Sequence, residues 1–235
     1  MGAMDAVQQQ AYRLLLGGGV AKALDLANED PRTVALYDTS GYAASAKRWD
    51  KVNRGKRGYY AAQARTIGKL LLMARRLCEA GCGFVTVHAG YAGVWDMHAD
   101  GNNLDMKDGM EAVGLAFDHA VAAFIKDAEE RGLNDKIMLV ATGEMGRTPK
   151  INKRGGRDHW ARLAPLLLYG GGHAGGQVIG ESDAQGGEPA TAGYGPKHLI
   201  STILNTMLDA GTVRVLPDSP APVNELLAHP PIPLV

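Results

Sequence analysis

The chain has 235 residues, 46% of them hydrophobic, so it is long enough to bury a substantial core as one large domain. Lysine plus arginine and aspartate plus glutamate both number 25, which gives a formal net charge of zero. This balance argues against nucleic acid or an anionic membrane as a partner, because both recruit clustered basic charge.

No apolar run approaches the ~20 residues that a helix needs to cross a bilayer, so no transmembrane segment is predicted. No signal peptide is visible either. The opening MGAM is typical of an expression tag, which could have replaced a natural leader. The compartment therefore stays open, with export to the periplasm in a longer form as one option.

Residues 1–60 are predicted to form a helical and loop segment that packs on the rest of the chain. An apolar helical period at the start is broken by a Gly-Gly-Gly triplet. The string NEDPRTVALY then predicts a helix with Asn28 or Asp30 as its N-cap and Pro31 in its first turn. Residues 38–60 are polar and predict a surface loop.

Residues 61–235 predict an α/β domain. Apolar spacing predicts a helix over 61–79 and a long amphipathic helix over 105–132, and PKHLISTILNTML predicts a further one. Three short apolar runs, GFVTVHAG, KIMLVAT and LAPLLLYGG, are typical of buried strands. Alternation of strands and helices indicates a mainly parallel sheet flanked by helices.

Several polar positions follow the ends of these predicted strands. His88 ends the first strand, Glu144 follows the second, and a glycine-rich loop over 170–176 follows the third. Parallel sheets bind ligands at the carboxyl ends of their strands. We therefore expect loops from different strands to meet at one crevice.

Acids and imidazoles in these loops form a candidate metal site made of Asp96, His98, Glu144, Asp158 and His159. In extended backbone the Asp-x-His spacing directs both side chains to one side, where a single ion could accept them. Carboxylate with imidazole suits zinc, manganese or iron, whereas mostly oxygen ligands favour magnesium or calcium. Each of these groups of residues alone also has an ordinary structural explanation: a polar side chain on the surface, a helix or turn cap, or a hydrogen-bonded pair.

Two arginines close to these positions in sequence predict an anion-binding function. The planar guanidinium groups of Arg147 and Arg157 match a phosphate or sulfate group bidentately. Lys150 and Lys153 make the intervening loop basic. This charge would suit a small anionic ester, although solvated loop residues would give the same pattern.

Several rare strings, in order, resemble the bacterial domain-of-unknown-function-1501 family. They are WDMH, GEMGRTPKIN, GRDHW, LLYGGGHAGGQVIGESDAQGGEP and HLISTILNTML. The resemblance spans roughly residues 22–210 and is densest between 94 and 189. That family in turn resembles the alkaline phosphatase and sulfatase superfamily.

The resemblance implies an alkaline-phosphatase-like core with two metal ions beside a hydroxyl or formylglycine nucleophile. By position, Asp96, His98 and His159 match the ligands of one ion. Glu144 and, less directly, Asp158 stand where an Asp-His pair would hold the second. The family's opening segment, with a metal-binding Asp and the nucleophile, has no counterpart before residue 60, so we expect a core truncated at the N-terminus.

These observations favour a metal-dependent hydrolase of phosphate or sulfate esters. Zinc is the first choice of metal, with manganese, magnesium or calcium as alternatives. The attacking group would be water activated by the metal or a nucleophile from a segment outside this chain, and Arg147 and Arg157 would stabilise charge on the transferring group. The main alternative is a non-catalytic scaffold that keeps a degenerate phosphatase-like site. A phosphomutase-type transfer ranks below both, and the oligomeric state stays open.

Overall fold

The structure, a computed structural model, describes residues 17–43, 54–90 and 93–209, with Gln9 and Tyr12 as isolated positions. The helical period predicted before the glycine triplet therefore lies mostly outside the described residues. Among the described helices, none combines the length and apolar character that crossing a bilayer would require.

The N-terminal segment consists of short helices. Helix α1 covers Gly19–Leu24 and is followed by a 3-10 turn at Leu26–Asn28. Helix α2 covers Pro31–Leu36, with Asp30 as N-cap: its Oδ1 accepts a hydrogen bond of 2.8 Å from the Arg32 amide. The predicted entry at Asp30 and Pro31 is confirmed, because the cap satisfies an amide that the first helical turn leaves free.

Helix α3 covers Arg54–Glu79, which corrects the prediction of a loop as far as residue 60. Residues 44–53 of that loop lie outside the described residues. Tyr60 is fully buried in α3, so this part of the polar run has an interior face. The helix also crosses the predicted division between residues 60 and 61, and that division stays a prediction.

A second helical stretch runs along α3 in three parts. Helix α4 covers Met106–Gly109, a π-helical turn covers Met110–Gly114, and helix α5 covers Leu115–Glu130. The Leu115 amide donates to the Met110 carbonyl, five residues back, as a π turn requires. The predicted long helix is confirmed, with the π turn as an added feature.

Two apolar clusters pack on either side of that π turn. The larger cluster joins α2, α3 and α5 through Tyr37, Ala64, Ile67, Leu71, Leu72, Ala116, Ala120, Val121, Ala123, Phe124 and Ala128. The smaller one joins the start of α3 to the loop before α4 through Tyr60, Val94, Met97, Leu104, Ala112 and Val113. The smaller cluster places residues 94–97 against the helices and so fixes the base of the Asp-x-His segment.

A buried network of ion pairs, the Arg75 cluster, ties the N-terminal segment to α3 and α5. Arg75 is 1% exposed, and its guanidinium lies 2.9 Å from Glu29 and 2.9 Å from Asp127, with Glu79 also in contact. Arg131 reaches Asp127 at 2.6 Å. Opposite charges therefore surround the Arg75 guanidinium, as a buried ion requires.

The strands form two small antiparallel sheets. Strand β1 (Met138–Thr142) pairs with β4 (Leu166–Gly170), and β2 (Gly146–Arg147) pairs with β3 (His159–Trp160). KIMLVAT and LAPLLLYGG are thus strands, as predicted. The predicted mainly parallel sheet is wrong for the described residues, which are mixed helix and strand with antiparallel pairing only. A short apolar run predicts a strand but carries no information on the direction of its partner.

The run GFVTVHAG does not form the predicted strand. In the described chain, residues 84–90 make no backbone-to-backbone hydrogen bond. They line one wall of a cavity of about 1620 Å³ whose other walls come from α3, α5, β1 and the last helix, α6 (Pro196–Asp209). Helix α6 confirms the prediction from PKHLISTILNTML.

Candidate functional site

Asp96, His98 and His159 lie together, as the sequence predicts. Each offers one ligand atom, and these atoms all lie within 4.8 Å of one another. His159 Nε2 is 3.0 Å from Asp96 Oδ1, and His98 Nδ1 is 3.9 Å from the same oxygen. The two imidazole rings meet edge to face with centroids 4.7 Å apart. We call these three residues the Asp96 cluster.

The hairpin of β2 and β3 brings His159 to Asp96. Arg147 on β2 is the register partner of His159 on β3, so the two side chains emerge side by side. Next to this pair, the Thr148 amide donates to the Asp158 carbonyl at 2.9 Å, and the Asp158 amide donates to Thr148 Oγ1 at 3.1 Å. The hairpin therefore directs an imidazole and a guanidinium toward the same carboxylate.

The loop between β2 and β3 also holds the backbone of the Asp-x-His segment. Asn152 Nδ2 donates to the His98 carbonyl at 3.0 Å, and the Arg157 amide donates to the Met97 carbonyl at 2.9 Å. Gly156 lies so close to the backbone of the Asp-x-His segment that an added Cβ would be 2.2 Å from the His98 carbonyl oxygen. These contacts fix His98 relative to the hairpin, and only glycine fits at this approach.

The charges around Asp96 favour its ionised form. Partial burial alone would raise the Asp96 pKa, but the His159 imidazole and the Arg147 guanidinium outweigh it and hold the pKa below its usual value. Arg147 Nη1 lies 2.6 Å from Asp96 Oδ1. The Asp96 side chain is 32% exposed, so its ionised carboxylate can be reached by solvent.

Glu144 and Asp158 lie outside the Asp96 cluster. The Glu144 side chain is 70% exposed and comes within 3.9 Å of Arg147 Nη2. Asp158 is also exposed. Neither belongs to the group of ligand atoms that the described residues bring together around Asp96. Their assignment as metal ligands stays a prediction.

Arg147 and Arg157 have different surroundings. Arg147 is engaged with Asp96. Arg157 is half-buried, and its Nε atom has no hydrogen-bond partner within the described part of the chain. A buried guanidinium N–H without an acceptor is a donor that the surrounding described residues leave unpaired.

Two of the histidines considered at strand ends and in loops lie outside the Asp96 cluster. His88 is exposed in the extended run over 84–90. His173, in the glycine-rich loop, forms a 2.8 Å hydrogen bond with Thr206 of α6. The glycine-rich loop is therefore fastened to α6.

Sequence reasoning missed two residues that build the site, Asn152 and Gly156. Asn152 Oδ1 accepts hydrogen bonds of 3.0 Å from the amides of Arg154 and Gly156, which closes a tight turn. The string NKRGG carried that signal, because an asparagine that bonds to amides a few residues ahead, followed by glycine, is typical of such turns. The basic side chains in the string drew the interpretation toward charge instead.

The donor set fits a divalent transition-metal ion. Zinc bonds to imidazole nitrogen and carboxylate oxygen are about 2.0–2.2 Å long, so two ligand atoms on one ion lie at most about 4.4 Å apart. Two of the three separations, 3.0 Å and 3.9 Å from Asp96 Oδ1, fall within this limit, and the ligand atoms of the two imidazoles lie within 4.8 Å of each other. Three protein ligands, one of them an exposed histidine, are typical of an ion that keeps a position open.

Comparisons with known proteins agree with the family likeness. No curated protein and no solved structure shows significant similarity to the chain. The family described as "Protein of unknown function (DUF1501)" matches residues 1–212, which is most of the sequence. The chain therefore belongs to the domain-of-unknown-function-1501 family, as its motifs predicted.

Proposed function

We propose that the chain is a metal-dependent hydrolase of small phosphate or sulfate esters. The observation that carries this proposal is the convergence of Asp96, His98 and His159 within 4.8 Å, in an open and partly exposed arrangement. The proposed relation to alkaline phosphatases and sulfatases belongs to the same proposal, because those enzymes hold an ion with an equivalent set of residues.

In this proposal the three residues of the Asp96 cluster bind one divalent ion, with zinc as the first choice. When bound, the ion would supply Lewis acidity to the ester oxygens and lower the pKa of a coordinated water. Asp96 supplies the negative charge that attracts the cation. His98 and His159 supply neutral nitrogen ligands, and the hairpin and the 152–157 loop hold them in place.

Arg157 would bind the anionic end of the substrate. Its Nε atom has no acceptor among the described residues, so a turn of the half-buried side chain toward solvent would offer an ester oxygen a donor that is otherwise left without a partner. The Arg157 amide donates a hydrogen bond to the Met97 carbonyl, and Met97 lies between Asp96 and His98 in the sequence. The donor therefore comes from a backbone that is fixed relative to the ion's ligands.

The competing proposal is a non-catalytic scaffold. One observation favours it: the Arg147 guanidinium lies against Asp96 and already supplies a positive charge at the position that a cation would neutralise. A site that has lost its ion could keep its shape through such an ion pair.

Metal binding and turnover can be measured together to separate the two proposals. We would quantify bound metal in the purified chain and in Asp96→Asn and His159→Ala variants, with zinc, manganese, magnesium and calcium supplied in turn. Each sample would also be assayed with aryl phosphate and aryl sulfate esters. The hydrolase proposal predicts about one ion per chain, loss of that ion in both variants, and loss of any hydrolysis.

His88→Ala is the matched control, because it removes an exposed histidine outside the Asp96 cluster. This variant should bind metal as the wild type does. Absence of metal from the wild type under every condition would reject the hydrolase proposal and leave the scaffold. Stoichiometric metal without hydrolysis of either ester would retain the metal site and reject the substrate class.

A further inference from the structure

We infer that Arg147 competes with the divalent ion for Asp96, and that binding of the ion releases its guanidinium to hold an anionic substrate. This inference rests on the proposed metal site. It assigns to Arg147 a regulatory position in that site, in addition to the general stabilisation of charge that its sequence suggested.

The competition follows from the charge of one carboxylate. Asp96 Oδ1 has contacts of 2.6 Å with Arg147 Nη1 and 3.0 Å with His159 Nε2. The His159 contact is a hydrogen bond, and the Arg147 contact is a close approach of opposite charges. An ion held by Asp96 and His159 would neutralise the carboxylate and repel the neighbouring guanidinium. Ion and guanidinium therefore compete for the charge of this carboxylate.

Arg147 is held in a way that permits this exchange. Its Nη1 atom is buried, yet no acceptor in the described chain is aligned with its N–H bonds, so the contact with Asp96 is one of charge and proximity. Its second nitrogen, Nη2, lies 3.9 Å from the exposed Glu144 carboxylate, which is longer than a hydrogen bond. Among the described residues, Asp96 is therefore the charged group that holds the guanidinium most closely.

Release would leave the guanidinium close to the site. The Arg147 backbone is fixed in β2 opposite His159, so only the side chain has to move. Asp96, Glu144 and Arg147 all line the cavity of about 1620 Å³, which gives the side chain room to turn. A guanidinium that has lost its carboxylate is a strong donor for a phosphate or sulfate group. Ion and anion should therefore bind cooperatively, each strengthening the other by the same factor.

The test is calorimetric titration of Zn²⁺, and of Mn²⁺ in parallel, into the wild type and Arg147→Gln. The glutamine removes the charge that competes for Asp96. We expect Arg147→Gln to bind the ion about tenfold more tightly, within the usual range of coupling between sites. Arg147→Lys keeps a charge without the planar fork and should fall between the two.

A second titration uses inorganic sulfate as the anion, with and without the ion. The wild type should bind sulfate about tenfold more tightly when the ion is present, and Arg147→Gln should lose most of this difference. Arg32→Gln is the matched control, because it breaks an exposed arginine–aspartate pair at 3.0 Å outside the Asp96 cluster. It should leave both titrations unchanged.

Each outcome separates this inference from the proposed function. If the wild type binds the ion, Asp96→Asn does not, and Arg147→Gln binds with unchanged or weaker affinity, the metal site stands and the competition is rejected. If neither the wild type nor Arg147→Gln binds any ion, the proposed metal site itself is rejected. Thermal unfolding of Arg147→Gln and Arg147→Lys without metal would show that both variants are folded.

Discussion

Arginine–carboxylate contacts of similar length occur in two parts of the molecule with different surroundings. In the Arg75 cluster the guanidinium is 1% exposed and three carboxylates surround it. In the Asp96 cluster one carboxylate meets two imidazoles and, from outside the cluster, the Arg147 guanidinium, and the His159 side chain is 51% exposed. In the first arrangement the guanidinium, Glu29 and Asp127 are closed to solvent, so water cannot take the place of a lost partner. The second is open, and its members can exchange partners.

Burial, more than the identity of the charged groups, distinguishes a structural ion pair from a binding site. A buried charge must keep its partners, because water cannot replace them. A partly exposed charge can give up one partner for another at small cost.

Arg75→Met should have the largest effect. It removes the cation that faces Glu29 and Asp127, which keep Arg76 and Arg131 as partners, so the free energy of unfolding should fall by about 3 kcal/mol, the lower end of the range for a broken buried pair. Urea unfolding followed by circular dichroism measures this. Arg32→Met, at an exposed pair, should change the same quantity by less than about 0.5 kcal/mol. A small loss at Arg75 would remove the contrast between the two clusters.

Gly156→Ala should come next. Its Cβ would lie 2.2 Å from the His98 carbonyl oxygen, which is backbone and cannot turn aside. We expect a loss of about 1–3 kcal/mol in the free energy of unfolding and weaker metal binding, because the loop must separate from the Asp-x-His segment. Gly143→Ala is the control, since its Cβ would meet only the Met145 carbonyl at 3.7 Å. Equal behaviour of the two variants would contradict the close approach.

Added metal should stabilise the wild type moderately. An ion that binds the folded chain alone raises the free energy of unfolding by about 2.7 kcal/mol at a hundredfold excess over Kd. Thermal unfolding with and without Zn²⁺ measures the shift in Tm. His159→Ala should lose most of the shift while retaining its stability without metal. An equal shift in both proteins would indicate that the ion binds elsewhere.

Acid should weaken the Arg75 cluster gradually. Burial alone would raise the Glu29 pKa, but Arg76 and Arg75 outweigh it and hold the pKa below 4.5. A carboxyl with a lowered folded-state pKa contributes stability that is fully present above its unfolded pKa and is lost as the pH falls through the folded value. The difference in unfolding free energy between wild type and Glu29→Gln should therefore be constant above about pH 5.5 and shrink below about pH 4.5.

A difference that stayed constant down to pH 2 would show that Glu29 keeps its charge by another route. Urea unfolding of both proteins at a series of pH values gives this comparison directly. Asp38→Asn gives a comparison at an exposed carboxylate: hydrogen bonds from Ser40 lower the pKa of Asp38 too, so its difference should shrink over a similar pH range without involving the Arg75 cluster.

Local signals in the sequence predicted the helices well. Asp30 before Pro31 marked a helix start because capping depends on neighbours in sequence. The apolar spacing predicted α3 from residue 61 to its end. The polar start of this helix at Arg54 resembles a loop in sequence, although Tyr60 is buried there. Helix starts without a cap signal are difficult to recognise, because packing supplies the missing stabilisation.

Strand direction and long-range contacts were beyond the sequence. The runs that form β1 and β4 were recognised, yet their antiparallel register depends on how the intervening chain folds back. Asp96 and His98 were paired correctly from their alternate spacing, and His159 from the family likeness. The contact of Arg147 with Asp96 joins residues 51 apart in sequence number and left no local trace. The contact between Glu29 and Arg75 also joins residues far apart in sequence and left no local trace.

The π turn at Met110–Gly114 links the two apolar clusters through one helical stretch. Ala112 and Val113 face the smaller cluster, which supports the Asp-x-His segment, while Ala116 and Ala120 face the larger one. A π turn holds about one residue more than an α turn, and each residue rotates the helix by about 100°. Removing a single residue here would restore a regular helix and turn one apolar face away from its cluster. Length in this stretch is therefore as constrained as amino-acid identity, and a shortened relative would need compensating changes on α3.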